Sequence, residues 1–477
     1  MRFKTKMTRL TPTVGGLRTV QWVSIGAVLL AIAVVPAQAA SDAETVYVFN
    51  TLLFLIGGFL VMWMAAGFAM LEAGLVRTKN VAEICLKNIG LYSIAGLMYF
   101  ILGYNLMYGV SEGGYIGPFD VFWSASEMLK TVMVDGEEVV QAFVLDEAGN
   151  EVRLEPAADG YASSSDWFFQ MVFVATAASI VSGTVAERVK LFPFFIFVVV
   201  LTGLIYPIQG SWEWGAGWLD AMGFADFAGS TLVHSTGGWA ALAGAMLIGP
   251  RIGKYDGQGR VRPMPGSSLP LATLGTFILW VGWFGFNGAS QLALGSDVNA
   301  IAVANIFANT NMAAAAGCIA TIGMTKVMYQ KVDLTMALNG ALAGLVSITA
   351  EPLTPSIGAA VLIGAVGGVL VVFAVPLFDK LKIDDVVGAL SVHLVAGIWG
   401  TMAVPFTNSG TSFLTQLIGV VSIGAFVFVT SYVVWMILKV SLGIRLSGEE
   451  EESGSDVAEL GMEAYPEFGR GTQKLAS

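Results

Sequence analysis

The sequence predicts an all-α polytopic membrane protein with eleven transmembrane helices around a central pore. Three observations support this fold class: the composition, a series of apolar runs, and the sidedness of the basic residues. Of the 477 residues, 55% are hydrophobic and only 12% are charged, against about 25% in ordinary soluble proteins. The 57 glycines are typical of closely packed membrane helices. This composition excludes a soluble enzyme, and the net charge of −11 excludes a nucleic-acid-binding protein.

The first 40 residues are predicted to be a signal peptide. Five basic residues accompany an apolar stretch from Trp22 to Val35, and the small residues Ala37 and Ala39 supply an A-x-A cleavage pattern. The alternative is a retained extra span, for which the stretch is short. Cleavage near Ala39 puts the mature N-terminus outside the cell.

Eleven later runs each approach the roughly 20 apolar residues that cross a bilayer. They cover residues 46–76, 81–109, 164–186, 191–210, 226–249, 268–290, 298–328, 333–351, 355–378, 385–406 and 411–439. Of the 24 Lys and Arg residues, 17 fall on the predicted inner side, five in the leader, and only Lys130 and Arg153 outside. By the positive-inside rule this bias predicts an odd span count and a cytoplasmic C-terminus, in the plasma (inner) membrane.

The spans divide the mature chain into two halves, residues 41–249 and 250–439. The first half carries spans one to five and a long external loop, residues 110–163, which we interpret as a small hairpin or cap. The second half carries spans six to eleven. A cytoplasmic tail follows, residues 440–477. It is too short for a catalytic domain, so we expect it to dock on the inner loops or to bind a partner.

A nine-residue pattern, D-x-x-G-x-x-x-V-H, occurs twice and contains both histidines of the chain. It runs from Asp226 to His234 in the fifth predicted span and from Asp385 to His393 in the tenth. An offset of five spans inverts the orientation, so spans 1–5 and 6–10 are predicted to be inverted repeats. Each Asp is expected to cap its helix. Each His lies eight residues deeper, roughly 12 Å, so both reach the midplane from opposite faces.

Two midplane histidines allow three interpretations. In the first they form hydrogen bonds that only hold neighbouring helices together. In the second they line a path through the membrane, and in the third they bind a metal ion. Buried imidazoles are costly unless they are paired or hydrated, which favours a pair that lines a path. Two His residues without Cys or a carboxylate at that depth are too few ligands for a closed zinc site. We therefore expect no metal and no other cofactor.

Aromatic residues gather at the predicted outer side of the same path. Phe173 lies in the third span, Trp214 in the fourth external connection, and Trp283 and Phe286 late in the sixth span, with Ser290 after them. One interpretation is an aromatic belt at the membrane interface. The other is a cage that binds compact alkylammonium-like cations over its ring faces.

The path below this cage contains no evident acidic ring. Moving an ammonium-sized ion into a dry interior costs ideally about 20 kcal/mol, whereas deprotonating an amine at pH 7 costs about 5 kcal/mol. We therefore expect a substrate that enters the path as a cation and crosses the membrane as a neutral molecule. Imidazole has an ordinary pKa of about 6.5, so the His pair is a candidate proton relay.

These motifs resemble those of the ammonium transporter family (Amt/Mep/Rh), of bacterial Amt type, over nearly all of residues 46–468. The likeness rests on the run from Glu72 to Asn80, on Asp226 with His234, on Gly282 to Asn287, and on the tail from Gly443 to Tyr465. It implies ammonium or ammonia as substrate and a homotrimer in the lipid bilayer, each protomer with its own pore. It also implies a PII-type regulator at the cytoplasmic face.

The resemblance further implies a role for each candidate residue. Trp214, Phe173 and Ser290 match the external recruitment site for ammonium. Asp226 belongs with this site and is expected to order the outer vestibule rather than to bind bare ammonium.

The remaining candidates match the pore of the family. Phe173 and Phe286 match two stacked gating rings, and Trp283 matches a pore-lining tryptophan. His234 and His393 match the twin histidines. Three functions stay open: an electrogenic ammonium transporter with a relayed proton, an Rh-like electroneutral channel for ammonia or carbon dioxide, and an ammonium sensor that signals through its tail. An intramembrane enzyme is not supported, because no nucleophile–base set lies beside the histidines.

Overall fold

The computed structural model describes residues 43–146, 148–157 and 159–467. The predicted signal peptide lies outside these residues. Within them the chain forms a bundle of long helices with a small sheet at one end and a folded tail at the other.

Nine helices in the described ranges are long and apolar enough to cross a membrane. They are α1 (Ala43–Leu75), α2 (Thr78–Tyr108), α3 (Ser163–Val185), α4 (Leu191–Ser211), α5 (Ser230–Ile248), α6 (Leu269–Gln291), α7 (Asp297–Tyr329), α9 (Ile357–Lys380) and α11 (Phe413–Ser441). Two shorter apolar helices, α8 (Leu334–Thr349) and α10 (Leu390–Phe406), coincide with the eighth and tenth predicted spans. Each predicted run therefore contains a helix, while the count of eleven crossings stays a prediction.

Helices α5 and α10 begin later than the apolar runs predict. A glycine with a left-handed backbone stands just before each helical segment, Gly229 with φ of 101° and Gly388 with φ of 83°. Glycine adopts this conformation without the steric cost that a Cβ imposes. Both helices then open with π-helical turns, Ser230–Ser235 and Leu390–Val395, which hold the two histidines. Single π-helical turns are frequent at functional sites.

Helices α1 and α6 pack closely through small residues. A Cβ at Gly67 would lie 3.0 Å from the backbone nitrogen of Leu279 and 3.1 Å from the carbonyl oxygen of Gly275. Small residues let helix backbones approach in membrane proteins, and a side chain at Gly67 would push these two apart. Because α1 carries Phe68 and α6 carries Phe286, this contact sets the positions of two rings near the histidines.

The long connection between α2 and α3 contains a three-stranded antiparallel sheet. Its strands are β1 (Met128–Val134), β2 (Glu137–Leu145) and β3 (Glu151–Arg153), in that order. Asp135 and Gly136, with φ of 52° and 87°, join β1 to β2. Asp-Gly is a favoured pair for two-residue hairpin turns with positive φ at both positions. The segment that we interpreted as a small hairpin or cap is thus a hairpin extended by a third strand.

The tail folds back onto the helix connections. Helix α12 (Gly448–Ser453) starts with a capping box made by Ser447 and Glu450, and a π-helical turn, Asp456–Leu460, follows it. The first three acidic residues of α12 lie in its first turn, where the positive end of the helix dipole stabilises negative charge.

Hydrogen bonds connect the tail to the start of α2 and to the loop after α5. The Glu451 carboxylate accepts from the backbone N–H of Ile252 at 2.6 Å, and Lys79 Nζ donates to the Glu451 carbonyl oxygen at 2.7 Å. Asn80 Oδ1 accepts from the backbone N–H and the hydroxyl of Ser455, at 2.9 and 3.1 Å. The docking expected of the tail is therefore present.

Buried ion pairs join four helix connections at the same end, those before α2, α4, α6 and α10. The Arg251 guanidinium donates twice to Asp384, at 2.8 and 2.9 Å, and lies 3.3 Å from Glu187, which also pairs with Arg77 at 2.5 Å. Burial disfavours the ionised carboxylate of Asp384, but the hydrogen bonds from Arg251 and the charges of Arg188 and Arg251 outweigh this effect and hold the pKa of Asp384 well below its ordinary value. We call this the tail end of the bundle, and the opposite end, which carries Trp214 and the sheet, the vestibule end.

Candidate functional site

A cavity of about 350 Å³ lies at the vestibule end. Three predicted residues, Trp214, Phe173 and Ser290, line one part of it. The rest of the lining is largely aromatic and comprises Tyr104, Tyr108, Tyr161, Asp166, Phe169, Gln170, Phe227 and Leu292. The structure thus brings together residues from α2, α3 and α6 and from the connections around them.

The three predicted residues provide ring faces and one hydrogen-bond acceptor. The Trp214 ring lies edge-on to Phe173, with centroids 5.9 Å apart, and its indole N–H donates to the Asp226 carbonyl oxygen at 3.1 Å. The Ser290 hydroxyl donates to the carbonyl oxygen of Phe286 at 2.8 Å, so its lone pairs remain able to accept from a ligand N–H. A compact cation with N–H groups fits this combination.

Asp226 does not line this cavity. Its carboxylate caps the start of α5 by accepting from four backbone N–H groups, those of Gly229 at 3.2 Å, Ser230 at 2.7 Å, Thr231 at 2.7 Å and Leu232 at 2.8 Å. Both oxygens are occupied and the residue is fully buried, so the carboxylate orders the backbone at this end of the path and has no oxygen directed into the cavity. The carboxylate instead fixes the backbone whose carbonyl accepts from Trp214.

Two phenylalanine rings close the floor of the vestibule. Phe173 and Phe286 are buried, and their ring centroids are 4.0 Å apart at an interplanar angle of 31°. The ring of His234 stacks on Phe286 at 5.1 Å and on Trp283 at 4.8 Å. Trp283 is fixed by a 2.7 Å hydrogen bond from its indole N–H to Thr349. Together with Trp214 and His393, these rings make all six predicted rings one connected column that ends at the histidines.

The two histidines contact each other directly. His234 Nδ1 and His393 Nδ1 are 3.2 Å apart, and both rings are buried. If both rings are neutral, one Nδ1 donates and the other accepts, so two tautomeric arrangements are available. His234 Nε2 is buried and has no hydrogen-bond partner among the described residues. It can therefore donate to or accept from a small molecule below Phe286, and the pair can pass one proton between its rings.

The repeated sequence pattern has the same local structure twice. Asp385 accepts from the backbone N–H groups of Ala389 and Leu390 at 3.1 and 2.7 Å, and from the Thr184 hydroxyl at 3.1 Å. As with Asp226, a carboxylate caps a π-helical turn that carries a histidine. The inverted arrangement of five-helix repeats stays a prediction.

Two further cavities lie between His393 and the tail end. The first holds only about 10 Å³ and is lined by Phe68, Glu72, Ser179 and His393, among others. The second, of about 380 Å³, is lined by Lys254 and other residues of the tail end. Asn339 and Val387 line both. The succession is thus a wide vestibule, a closed aromatic and imidazole segment, and a second wide cavity.

Sequence reasoning missed the tyrosine and aspartate wall of the vestibule. Tyr104 and Tyr108 lie late in α2, Tyr161 lies in the connection before α3, and Asp166 lies in the first turn of α3. They meet only because α2 and α3 pack side by side, which no local pattern reveals. The one available signal was an acidic residue at the start of an apolar run.

Comparison with known proteins yields consistent matches. The sequence model of the Ammonium Transporter Family matches residues 52–465. The chain is 40% identical over 448 residues to a putative ammonium transporter, sll1017, of Synechocystis, covering 92% of this chain and 95% of that protein. It is 39% identical to ammonium transporter Amt2 of Archaeoglobus fulgidus, covering 87% of each.

Solved structures match the fold over most of the chain. The structure described as Sensor Amt Protein has a TM-score of 0.75 and 32% identity, and covers 87% of this chain and 99% of its own. The crystal structure of Candida albicans Mep2 has a TM-score of 0.72 at 24% identity, and covers 90% and 93%. At that identity the second match supports the fold alone.

Proposed function

The chain belongs to the ammonium transporter family, and from this premise we propose that it takes up ammonium electrogenically, by separating ammonia from its proton. The observation that carries the proposal is the unbroken column from Trp214 and Phe173 through Phe286 to the two histidines. One end of this column suits a cation, and the rest suits a small neutral molecule.

Recruitment takes place at Trp214, Phe173 and Ser290. Ring faces attract a compact cation, and the Ser290 oxygen accepts one of its N–H groups. Below this site Phe173 and Phe286 exclude water, so a charged species faces the full cost of desolvation there. Ammonia avoids that cost, so we propose that ammonium transfers one proton to His234 Nε2, which has no hydrogen-bond partner among the described residues, as the rings open, and that only ammonia continues.

The histidine pair then carries the proton through the closed segment, either apart from ammonia or at the same time as ammonia. The 3.2 Å contact between the two Nδ1 atoms supports a shared proton, and His234 Nε2 is available to the molecule arriving from Phe286. Imidazole is suited to such transfer because it gains and loses a proton near neutral pH.

For the membrane arrangement we propose eleven spans, an external vestibule end and a cytoplasmic tail end in the plasma membrane. The Lys and Arg residues of the tail end, among them Arg77, Lys79, Arg188 and Lys254, support this orientation. We also propose a homotrimer with one pore per protomer and, at the tail end, a PII-type regulator. Both extend the family resemblance to this chain.

The test is the current from purified protein in liposomes after an ammonium pulse. We expect a saturable current whose half-saturating ammonium concentration rises in Trp214→Leu and whose size changes in His234→Ala. The matched control is Trp63→Leu, because Trp63 is exposed on α1, away from the path, and its loss is expected to leave the current unchanged. No effect of Trp214→Leu would count against the recruitment site.

The same recording separates an Rh-like channel from a transporter. Internal alkalinisation without any current would mean that only neutral ammonia crosses, and the electrogenic proposal would fail. Adding carbon dioxide in place of ammonium tests the other substrate of such a channel.

A sensor is the second candidate function. It is favoured by the 32% identity to the Sensor Amt Protein structure and by the contacts of the tail with the start of α2 and with the connection after α5. Saturable ammonium binding without flux in either assay, together with altered protease access to the tail, would support a sensor over a transporter.

A further inference from the structure

The vestibule has a buried carboxylate on its wall, farther from the histidines than the recruitment site. Asp166 is 7% exposed and lies seven residues before Phe173 on α3, about 10 Å along the helix axis. Asp166, Phe169, Gln170 and Phe173 share one helix face, and all four line the cavity. The cavity therefore extends about two helical turns beyond Phe173.

Neutral groups are the hydrogen-bond donors to this carboxylate. The Tyr104 hydroxyl donates to one oxygen, and Gln170 Nε2 lies 3.5 Å from the other. In the described part of the chain, no Lys or Arg nitrogen is within ion-pair distance of Asp166. A buried carboxylate without a counter-ion is costly, and its place in the first turn of α3 offsets only part of that cost. A cation bound in the cavity would supply the missing charge.

The surrounding wall also suits a cation. The rings of Tyr104 and Tyr108 lie 4.9 Å apart, and the Tyr108 hydroxyl is buried without a hydrogen-bond partner among the described residues. Its oxygen can accept from a ligand N–H. Trp123, from the connection that carries the sheet, stacks on Trp167 at 5.5 Å and packs against Tyr104 at 5.3 Å. The wall is therefore built and supported before a ligand arrives.

We propose that Asp166, Tyr104 and Tyr108 form a second, outer subsite that binds compact ammonium-type monovalent cations before they reach Trp214. The proposal rests on the proposed function, because it requires the vestibule to face the ammonium source. Asp166 holds the cation by charge and hydrogen bonds, the tyrosine rings hold it by their π faces, and no proton is transferred at this point. The subsite raises the cation concentration next to the recruitment site.

The experiment measures ammonium currents in liposomes for Asp166→Asn. We expect the half-saturating ammonium concentration to rise on the order of tenfold, because one charge about 10 Å from the recruitment site is lost, with the maximal current unchanged. The matched control is Asp135→Asn at the exposed hairpin turn, which removes the same charge at a position where Asn tolerates the positive φ. The control is expected to behave like the wild type.

Further variants keep the test decisive if Asp166→Asn does not fold. Asp166→Glu retains the charge and is expected to stay within about threefold of the wild type. Tyr104→Phe removes one hydrogen bond to the carboxylate, and we expect about a threefold rise. One outcome would overturn the subsite alone. In it, the half-saturating ammonium concentration is raised by Trp214→Leu but is the same in Asp166→Asn, in Tyr104→Phe and in the Asp135→Asn control. A wild type without ammonium current would overturn the proposed function and the subsite with it.

Discussion

Replacing Asp226 by Asn tests whether its carboxylate is what holds the start of α5. Asp226 accepts four backbone N–H bonds, two on each oxygen. An Asn side chain keeps one oxygen and can retain two of these bonds, while its NH₂ group faces the other two N–H groups. Bonds to a charged acceptor contribute about 1.5 kcal/mol or more each, so we expect a loss of about 3 kcal/mol localised at residues 229–235.

Amide hydrogen exchange measures this loss where it occurs. In the regime where exchange follows local opening, about 3 kcal/mol corresponds to exchange on the order of a hundredfold faster. The matched comparison is Asp385→Asn. Asp385 accepts only two N–H groups and one hydroxyl, so a single N–H bond is lost and exchange at residues 389–395 is expected to rise about tenfold. Equal effects of the two variants, or none, would refute the reasoning.

Three further changes test other parts of the structure. Phe286→Ala removes the ring between Phe173 and the histidines, so water is expected to reach the pair and carry a proton current without ammonium; proton-tight liposomes would contradict the gate. Asp384→Asn removes one of the two carboxylates that pair with buried Arg251 and leaves Glu187 at 3.3 Å, so we expect a cost of roughly 2–3 kcal/mol, less than the about 3–5 kcal/mol of a buried charge with no partner. The pKa of Asp384 is depressed in the folded protein. The difference in melting temperature between the wild type and Asp384→Asn should therefore persist from about pH 8 to pH 5. It should shrink only below about pH 4, where the carboxyl of Asp384 is protonated in the unfolded state. Asn80→Ala removes both bonds to Ser455 and should expose the tail to limited proteolysis, so an unchanged cleavage pattern would argue against the docking.

The hydrophobic pattern was sufficient to predict the helices, and the repeated D-x-x-G-x-x-x-V-H pattern was sufficient to predict the contact between the two histidines. Long apolar runs have few alternatives to helix in a membrane, and the repeated Asp and His at the same spacing indicated two similar helix starts. The exact beginnings of α5 and α10 were missed because the left-handed Gly229 and Gly388 interrupt runs that composition treats as continuous.

The vestibule wall and the contacts of the tail could not be predicted in the same way. Asp166 meets Tyr104 across 62 residues, and Ser455 meets Asn80 across 375. Such pairs depend on how helices pack, and single residues in variable surroundings carry no periodic signal. Asp226 shows a related limit: its capping of α5 followed from the spacing, but only the coordinates reveal that no oxygen is left for a ligand.

The bonds from Ser455 and Glu451 back to the loops also order events during biosynthesis. A ribosome delivers the chain from its N-terminus, so Asn80 and Lys79 emerge more than 370 residues before their partners. Until the last portion is released, these loops lack their final hydrogen bonds, and a prematurely terminated chain never acquires them. A chain that ends before residue 451 therefore leaves Lys79 and Asn80 without these hydrogen-bond partners.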